Sequence, residues 1–143
     1  MTTIAWDGRR KTLAADKRAT SGTVVRTVTK IHRIGSDLVG ISGNLAHGMA
    51  LLDWARAGYV AKEFPSPSKG DDDAYLVRVT RDAEVFRYEG PHAFKVEDEF
   101  FTTGSGSDYA MAALHMGLTA RQAIELASRL EPGTGNGVDV LEL

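Results

Sequence analysis

From its start the chain spaces apolar residues as a strand does. Thr3, Ile4, Ala5 and Trp6 read as one strand, "DGRRK" as a charged turn, and "TLAAD" as a second strand ending at Asp16. A hairpin centred on Arg9 would oppose Trp6 to Thr12, Ile4 to Ala14 and Thr2 to Asp16. Opposed residues point to one face, so this register puts Thr2 and Asp16 side by side at the open end, and a slip by one residue puts Ala15 or Lys17 there instead. The turn "ATSGT" then leads to "VVRTVTKIHRI", one alternating stretch carrying Lys30, and "GSD" leads to the apolar strand "LVGISG". Asn44 is placed to cap a helix, "LAHGMALLDWARAGY", in which Leu45, Met49, Leu52 and Ala55 or Arg56 recur at helical spacing. Leu51, Leu52 and Trp54 are spread too widely for one helical face to bury them all.

The stretch from Val60 to Asp73 has no periodicity and reads as a loop. Its aspartate run predicts solvated chain, because nothing nearby completes an oxygen cage for a metal. Beyond it "AYLVRVT" alternates and turns at "RDAE" into "VFRYEG", and "HAFKVE" and "FFTTGSGS" extend the sheet. "DYAMAALHMGL" reads as a helix, followed by "TARQAIELASRL", where Thr119 and Gln122 form a capping box. A glycine-rich turn, "EPGTGNG", precedes a last strand. Strands, a helix, strands, two helices and a strand predict an α+β layered domain. Neither a repeat nor a boundary divides residues 1–143, so one domain is expected.

Composition narrows the chemistry. The 143 residues are 43% hydrophobic and 25% charged, enough for one core, with a formal net charge of −2. That balance gives no electrostatic reason to expect nucleic acid or an anionic membrane as partner. There is no cysteine, so disulfides, thiolate metal sites and a cysteine nucleophile are excluded. No apolar run approaches the roughly 20 residues of a membrane-spanning helix, and no basic-then-apolar leader is read. A cytoplasmic protein is expected.

Familiar motifs explain little. "GSGSDY" could cradle an anion at a helix N-terminus but lacks the lysine of a phosphate loop, and a packed turn is the plainer reading. "GTGNG" leads to a strand and is no dinucleotide fingerprint. His32, His47, His92 and His115 show no ligand spacing and read as surface or packing residues. No nucleophile elbow is present. Thr2 is different. Methionine aminopeptidase removes a start methionine that precedes a small residue, which would leave Thr2 as the mature N-terminus. A free terminal threonine carries a hydroxyl nucleophile and an amine base together, and an α-amine has a reference pKa of about 7.7–8.0. Such a site needs a cation, a carboxylate to hold it and an amide for an oxyanion; Lys30, Asp16 and Gly43 stand at suitable places.

The stretches "TTIAWDG", "TLAADKRAT", "VTKIHRI" and "LVGISGN", with the later "TTGSGSDYAMAAL", resemble proteasome β subunits and HslV, the bacterial proteasome-like peptidase. The resemblance spans nearly the whole chain in the right order. It implies an N-terminal nucleophile hydrolase fold, a four-layer sandwich of two antiparallel sheets flanked by helices. It also implies peptide-bond hydrolysis through a threonyl ester, with no metal or organic cofactor. By the same resemblance Thr2 matches the nucleophile, Asp16 the strand-end carboxylate, Lys30 the lysine beside the nucleophile and Gly43 the oxyanion donor. Ser105 matches the serine that organises the amine and a water. Thr20 falls where the family pairs backbone with substrate, and Ile41 and Leu45 where side chains shape the pocket before the cleaved bond. Glu131 and Thr134 stand where the family carries an aspartate and a serine, the glutamate being one methylene longer.

Here the 60–73 loop replaces the family's second helix, so the fold is expected to be shortened by one helix. That would leave apolar surface around Leu51, Leu52 and Trp54 for a neighbouring subunit. The resemblance implies polypeptide substrates, a homo-oligomeric double ring and an ATP-dependent unfoldase partner. Two alternatives remain at this point: a catalytically silent ring-forming subunit, and a small-molecule amidase of the wider N-terminal nucleophile group.

Overall fold

The computed structural model describes residues 2–70 and 72–143. Met1, with its expected removal, lies outside the described residues, as does Asp71 of the expected 60–73 loop.

Strands Thr3–Asp7 (β1), Thr12–Asp16 (β2), Phe100–Gly104 (β10) and Val138–Glu142 (β11) form an antiparallel sheet in the order β10-β1-β2-β11. A second antiparallel sheet runs β5-β6-β7-β8-β9, built from Ile31–Ile34, Asp37–Gly43, Ala74–Val79, Val85–Tyr88 and Phe94–Val96 respectively. Between them in sequence, Arg18–Ser21 (β3) and Val24–Thr27 (β4) make a separate two-stranded ribbon. Three α-helices, Leu45–Arg56 (α1), Ser107–His115 (α2) and Ala120–Leu130 (α3), complete the described elements.

Alternation along β1 explains the layering. Ile4 and Trp6 join Leu13, Ala15, Leu38, Val77 and Val79 in a core between the two sheets. Ala5 points the other way and packs with Ala14, Ala110, Leu114 and Ile124 beneath α2 and α3. On the far side, Val39, Ile41 and Leu76 pack against Leu51, Leu52 and Trp54 of α1. The result is the expected α+β sandwich of four layers, with α2 and α3 over the first sheet and α1 over the second. None of the helices among the described residues is long and apolar enough to cross a membrane. The helix starts follow their caps: Asn44 Oδ1 accepts from His47 N at 2.9 Å, and Thr119 with Gln122 makes the reciprocal box.

Three expectations are corrected. The first hairpin pairs Trp6 with Leu13 and Ile4 with Ala15, one residue away from the expected register. Its turn spans residues 8–11, because Asp7 Oδ1 accepts from Arg9 N and Arg10 N and Lys11 adopts φ 52°. Asp16 therefore stands opposite Thr3 and not opposite Thr2. Secondly, the alternating stretch from Val24 to Ile34 is two strands, broken at residues 28–30, and Lys30 lies in the break.

The third correction concerns α1. Leu51 and Leu52 are fully buried and Trp54 nearly so, whereas Leu45 and Met49 are exposed. The buried face is His47, Gly48, Leu51, Leu52, Trp54 and Ala55. The following segment makes this coverage. After Gly58 and Tyr59, both at positive φ, the chain folds back through a 3-10 turn, Ala61–Glu63. Trp54 Nε1 then donates to Val60 O at 2.7 Å, and Phe64 and Tyr59 rings stand edge-on to the indole at 5.0 and 5.6 Å. Tyr88 from β8 closes the cluster at 5.1 Å. One helix and a folded-back aromatic loop thus cover what the sequence leaves to a neighbouring subunit.

Candidate functional site

The first strand is fixed by its backbone on both sides. Ser105 N donates to Thr2 O at 2.8 Å, and Thr3 pairs with Gly104 across β10. Gly104 sits at φ +98°, and a Cβ there would lie 1.6 Å from Thr2 O, so the residue is required twice over. On the other edge Thr3 N donates to Asp16 Oδ1 at 2.9 Å. Strand alternation turns the Thr2 side chain toward the second sheet, with Ile4 and Trp6, and the Thr3 side chain toward α2.

Asp16 is completely buried and accepts four hydrogen bonds. Its Oδ1 takes Thr3 N and Lys30 Nζ, the latter at 2.8 Å; its Oδ2 takes Arg18 N at 3.2 Å and Gly135 N at 3.1 Å. Lys30 Nζ also donates to Arg18 O. Burial drives the Lys30 ammonium below the ordinary lysine range, and contact with Asp16 offsets only part of that shift. The strand break at residues 28–30 lets this lysine turn inward, while Ile41 N donates to Lys30 O at 2.9 Å and ties the break to β6.

The end of β6 supplies a backbone donor. Ile41 N–H faces Lys30, and strand donors alternate sides, so Gly43 N–H is aimed the same way, beyond β5 and into the cleft. Asn44 N turns back to Asp73 O at 3.3 Å. Gly43 lies at φ +96°, and a Cβ would meet Asp73 O at 2.6 Å. The His47 ring holds the same corner, accepting from Ala74 N at Nδ1 and donating from Nε2 to Pro65 O, a packing role as the sequence suggests.

These elements enclose a cleft of about 380 Å³ lined by Thr2, Thr20, Lys30, Ile41, Gly43 and Leu45 among others. Six of the ten residues singled out in the sequence therefore meet in one place, and Asp16 stands directly behind Lys30. The other three form a network on the helix side of β1. Glu131 Oε2 accepts from Ser105 Oγ at 2.8 Å and from Thr134 Oγ1 at 2.6 Å, so the longer glutamate arm spans the gap. Burial opposes ionisation of Glu131, but donors from Thr134, Gly133 N and Ser105 outweigh it and hold the carboxyl below its ordinary range.

Sequence reasoning misses the residue that joins the network to the strand. Thr3 Oγ1 accepts from Gly106 N at 2.9 Å and lies 2.7 Å from Thr134 Oγ1. Because Thr134 gives its proton to Glu131, Thr3 must donate to Thr134, which fixes the direction of the whole chain. Arg18 is missed as well. Its guanidinium bonds Asn136 Oδ1 and Pro132 O and lies against Gly135, where a Cβ would come within 2.7 Å of it. It clamps the 131–136 turn onto Asp16. The signals available were the doubled threonine and the lone arginine beside the aspartate, neither of which has a distinctive spacing.

Chemically, the cleft offers a hydroxyl, a buried lysine paired to a carboxylate, and a backbone donor in one small volume. No group of histidine and acidic residues among the described residues is arranged to hold a metal ion.

No family model matches the chain. A relative described as proteasome subunit beta 1, from Pyrobaculum calidifontis, is 30% identical over 180 residues, covering 98% of this chain and 87% of the relative. Among solved structures, eukaryotic HslV from Trypanosoma brucei superposes with a TM-score of 0.74 at 22% identity, over 97% of each chain. The Thiobacillus denitrificans BPH protein in complex with epoxomicin gives 0.69 at 20% identity, over 99% of this chain and 98% of that one. A relative 30% identical along almost the entire length, together with the shared fold, leads to one conclusion: the chain belongs to the proteasome β-subunit and HslV-like family.

Proposed function

We propose that the protein is a threonine peptidase in which Thr2, once Met1 is removed, attacks the peptide carbonyl. The carrying observation is the buried Lys30–Asp16 pair at 2.8 Å, whose lysine lines the same cleft as Thr2. A buried charge pair is a weak source of stability, so its presence beside a candidate nucleophile favours a chemical role. The Thr2 amine takes the hydroxyl proton, directly or through a water, as Oγ1 forms the bond to the carbonyl carbon. The Lys30 ammonium lowers the cost of negative charge nearby and Asp16 holds it in place. Gly43 N–H receives the oxyanion. Collapse breaks the C–N bond, the amine returns the proton to the leaving nitrogen, and water then hydrolyses the threonyl ester with the amine again as base. Ser105, Glu131 and Thr134 set the position of the strand end and of the amine.

The substrates are polypeptides entering along the β3–β4 ribbon, where Thr20 offers backbone, and seating a side chain between Ile41 and Leu45. An open site of this kind is dangerous in the cytoplasm, which favours a closed homo-oligomeric double ring fed by an ATP-dependent unfoldase. The intact set of Thr2, Asp16 and Lys30 disfavours a silent ring subunit, since assembly needs none of them together. The test is intact-mass and peptide mapping after treatment with a peptide vinyl sulfone. The expected result is a chain lacking Met1 with the adduct on Thr2; an adduct only elsewhere, or none with no peptide turnover, would overturn the proposal.

A further inference from the structure

One wall of the cleft carries a charge that the proposed chemistry does not use. In the β3–β4 ribbon Arg26 opposes Ala19, so the two share a face. Arg26 ends up in the cleft lining together with Val28 and Lys30, which follow it in the chain. The two cations on that wall differ. Lys30 is buried against Asp16, whereas Arg26 is exposed, and none of the described hydrogen bonds or ion pairs engages its guanidinium. Its carbonyl accepts from Asn136 Nδ2 at 3.3 Å. No acidic side chain lines the cleft among the described residues. Lys30 stands four positions after Arg26, a span of at most about 14 Å, which an extended peptide covers in about four residues.

We infer that Arg26 selects peptides bearing a glutamate or aspartate within about four residues of the cleaved bond, pairing its guanidinium with that carboxylate. The inference rests on the peptidase reading above and deepens it. A guanidinium presents a planar fork of donors that matches a carboxylate better than any neutral side chain. The pair forms at a solvated rim, so its effect is moderate and salt-dependent.

The experiment uses fluorogenic peptides identical except for one residue, glutamate, glutamine or lysine, moved through the four positions on either side of the cleaved bond. The wild-type protein is expected to prefer glutamate over glutamine by about 3- to 5-fold in kcat/KM at one position, with the ratio shrinking at high ionic strength. In Arg26→Gln that ratio should fall to one, and in Arg26→Glu the order should invert in favour of lysine. Equal cleavage of all three peptides at every position, or a preference unchanged in Arg26→Gln, would overturn the inference while leaving the peptidase reading intact. If no peptide is cleaved and Thr2 takes no vinyl sulfone, the peptidase reading itself fails, and this inference falls with it.

Discussion

Behind one side of the cleft, Asp16, Lys30 and the 131–135 turn are largely buried and cross-linked, whereas the β3–β4 ribbon, which lines the cleft itself, is exposed along nearly its whole length. Asp16 alone accepts four hydrogen bonds, and Thr3, Thr134 and Glu131 continue the linkage to α2. Every residue of β4 is exposed, including Val24 and Val25. Groups that must hold a reacting atom within a fraction of an ångström benefit from many simultaneous constraints. A surface that accepts varied side chains benefits from few. Substitutions on the linked side should therefore act on kcat and often on stability, and substitutions on the ribbon mainly on KM.

The largest expected effect is that of Thr2→Ala, which tests whether the linked side serves a nucleophile at all. It should lower kcat/KM by at least about 10³-fold while leaving the melting transition nearly unchanged, read by peptide turnover and calorimetry. Retained turnover would remove the distinction between the two sides. Next, Lys30→Ala should cost on the order of 10²- to 10³-fold in kcat. Asp16→Asn should lose activity and also about 3–5 kcal/mol of stability, measured by urea unfolding, because it strands a buried cation. Lys30→Arg should not rescue, since a planar guanidinium cannot fit where a compact ammonium bonds Asp16 and Arg18 O.

A smaller effect is expected at Glu131, whose folded carboxyl titrates below the 4.5 of its unfolded counterpart. The unfolded chain then binds more protons between those two values. Its contribution is full above pH 4.5 and is lost as pH falls through the folded value. Glu131→Gln should flatten that acid-side loss in a pH series of melting temperatures; an unchanged slope would show that Ser105 and Thr134 do not depend on the charge. The smallest effect is predicted for Val25→Thr on the ribbon, within about 0.5 kcal/mol in stability. A larger loss would mean that the ribbon is braced as firmly as the opposite wall.

The layered fold was readable because strand alternation and helix caps are local signals. Asn44, Thr119 and Gln122 all do what their residue types suggest. The first hairpin register was not readable, because it depends on Lys11 occupying a left-handed conformation where glycine is the usual marker. Coverage of α1 is not legible in the sequence for a related reason: Phe64 comes from an aperiodic segment, and only the tertiary fold returns it to Trp54. At the site, the chemistry of a terminal threonine singles out Thr2, Asp16 and Lys30, whereas their placement follows from tertiary structure: Asp16 stands opposite Thr3 and Lys30 lies in a strand break. Thr3 escaped because its hydroxyl matters only through Gly106 and Thr134, more than a hundred residues away.

The position of β1 between β10 and β2 has a consequence in time. As the polypeptide leaves the ribosome, the strand that follows Thr2 waits for one of its two flanking partners until residues 100–104 have been made. The carboxylate and hydroxyl that organise its end, Glu131 and Thr134, arrive later still. Closing a loop of about a hundred residues is slow compared with forming a local hairpin. A nascent chain thus carries the cleft unassembled through most of synthesis. Ordering of the strand end and completion of the fold become a single event, set by chain order.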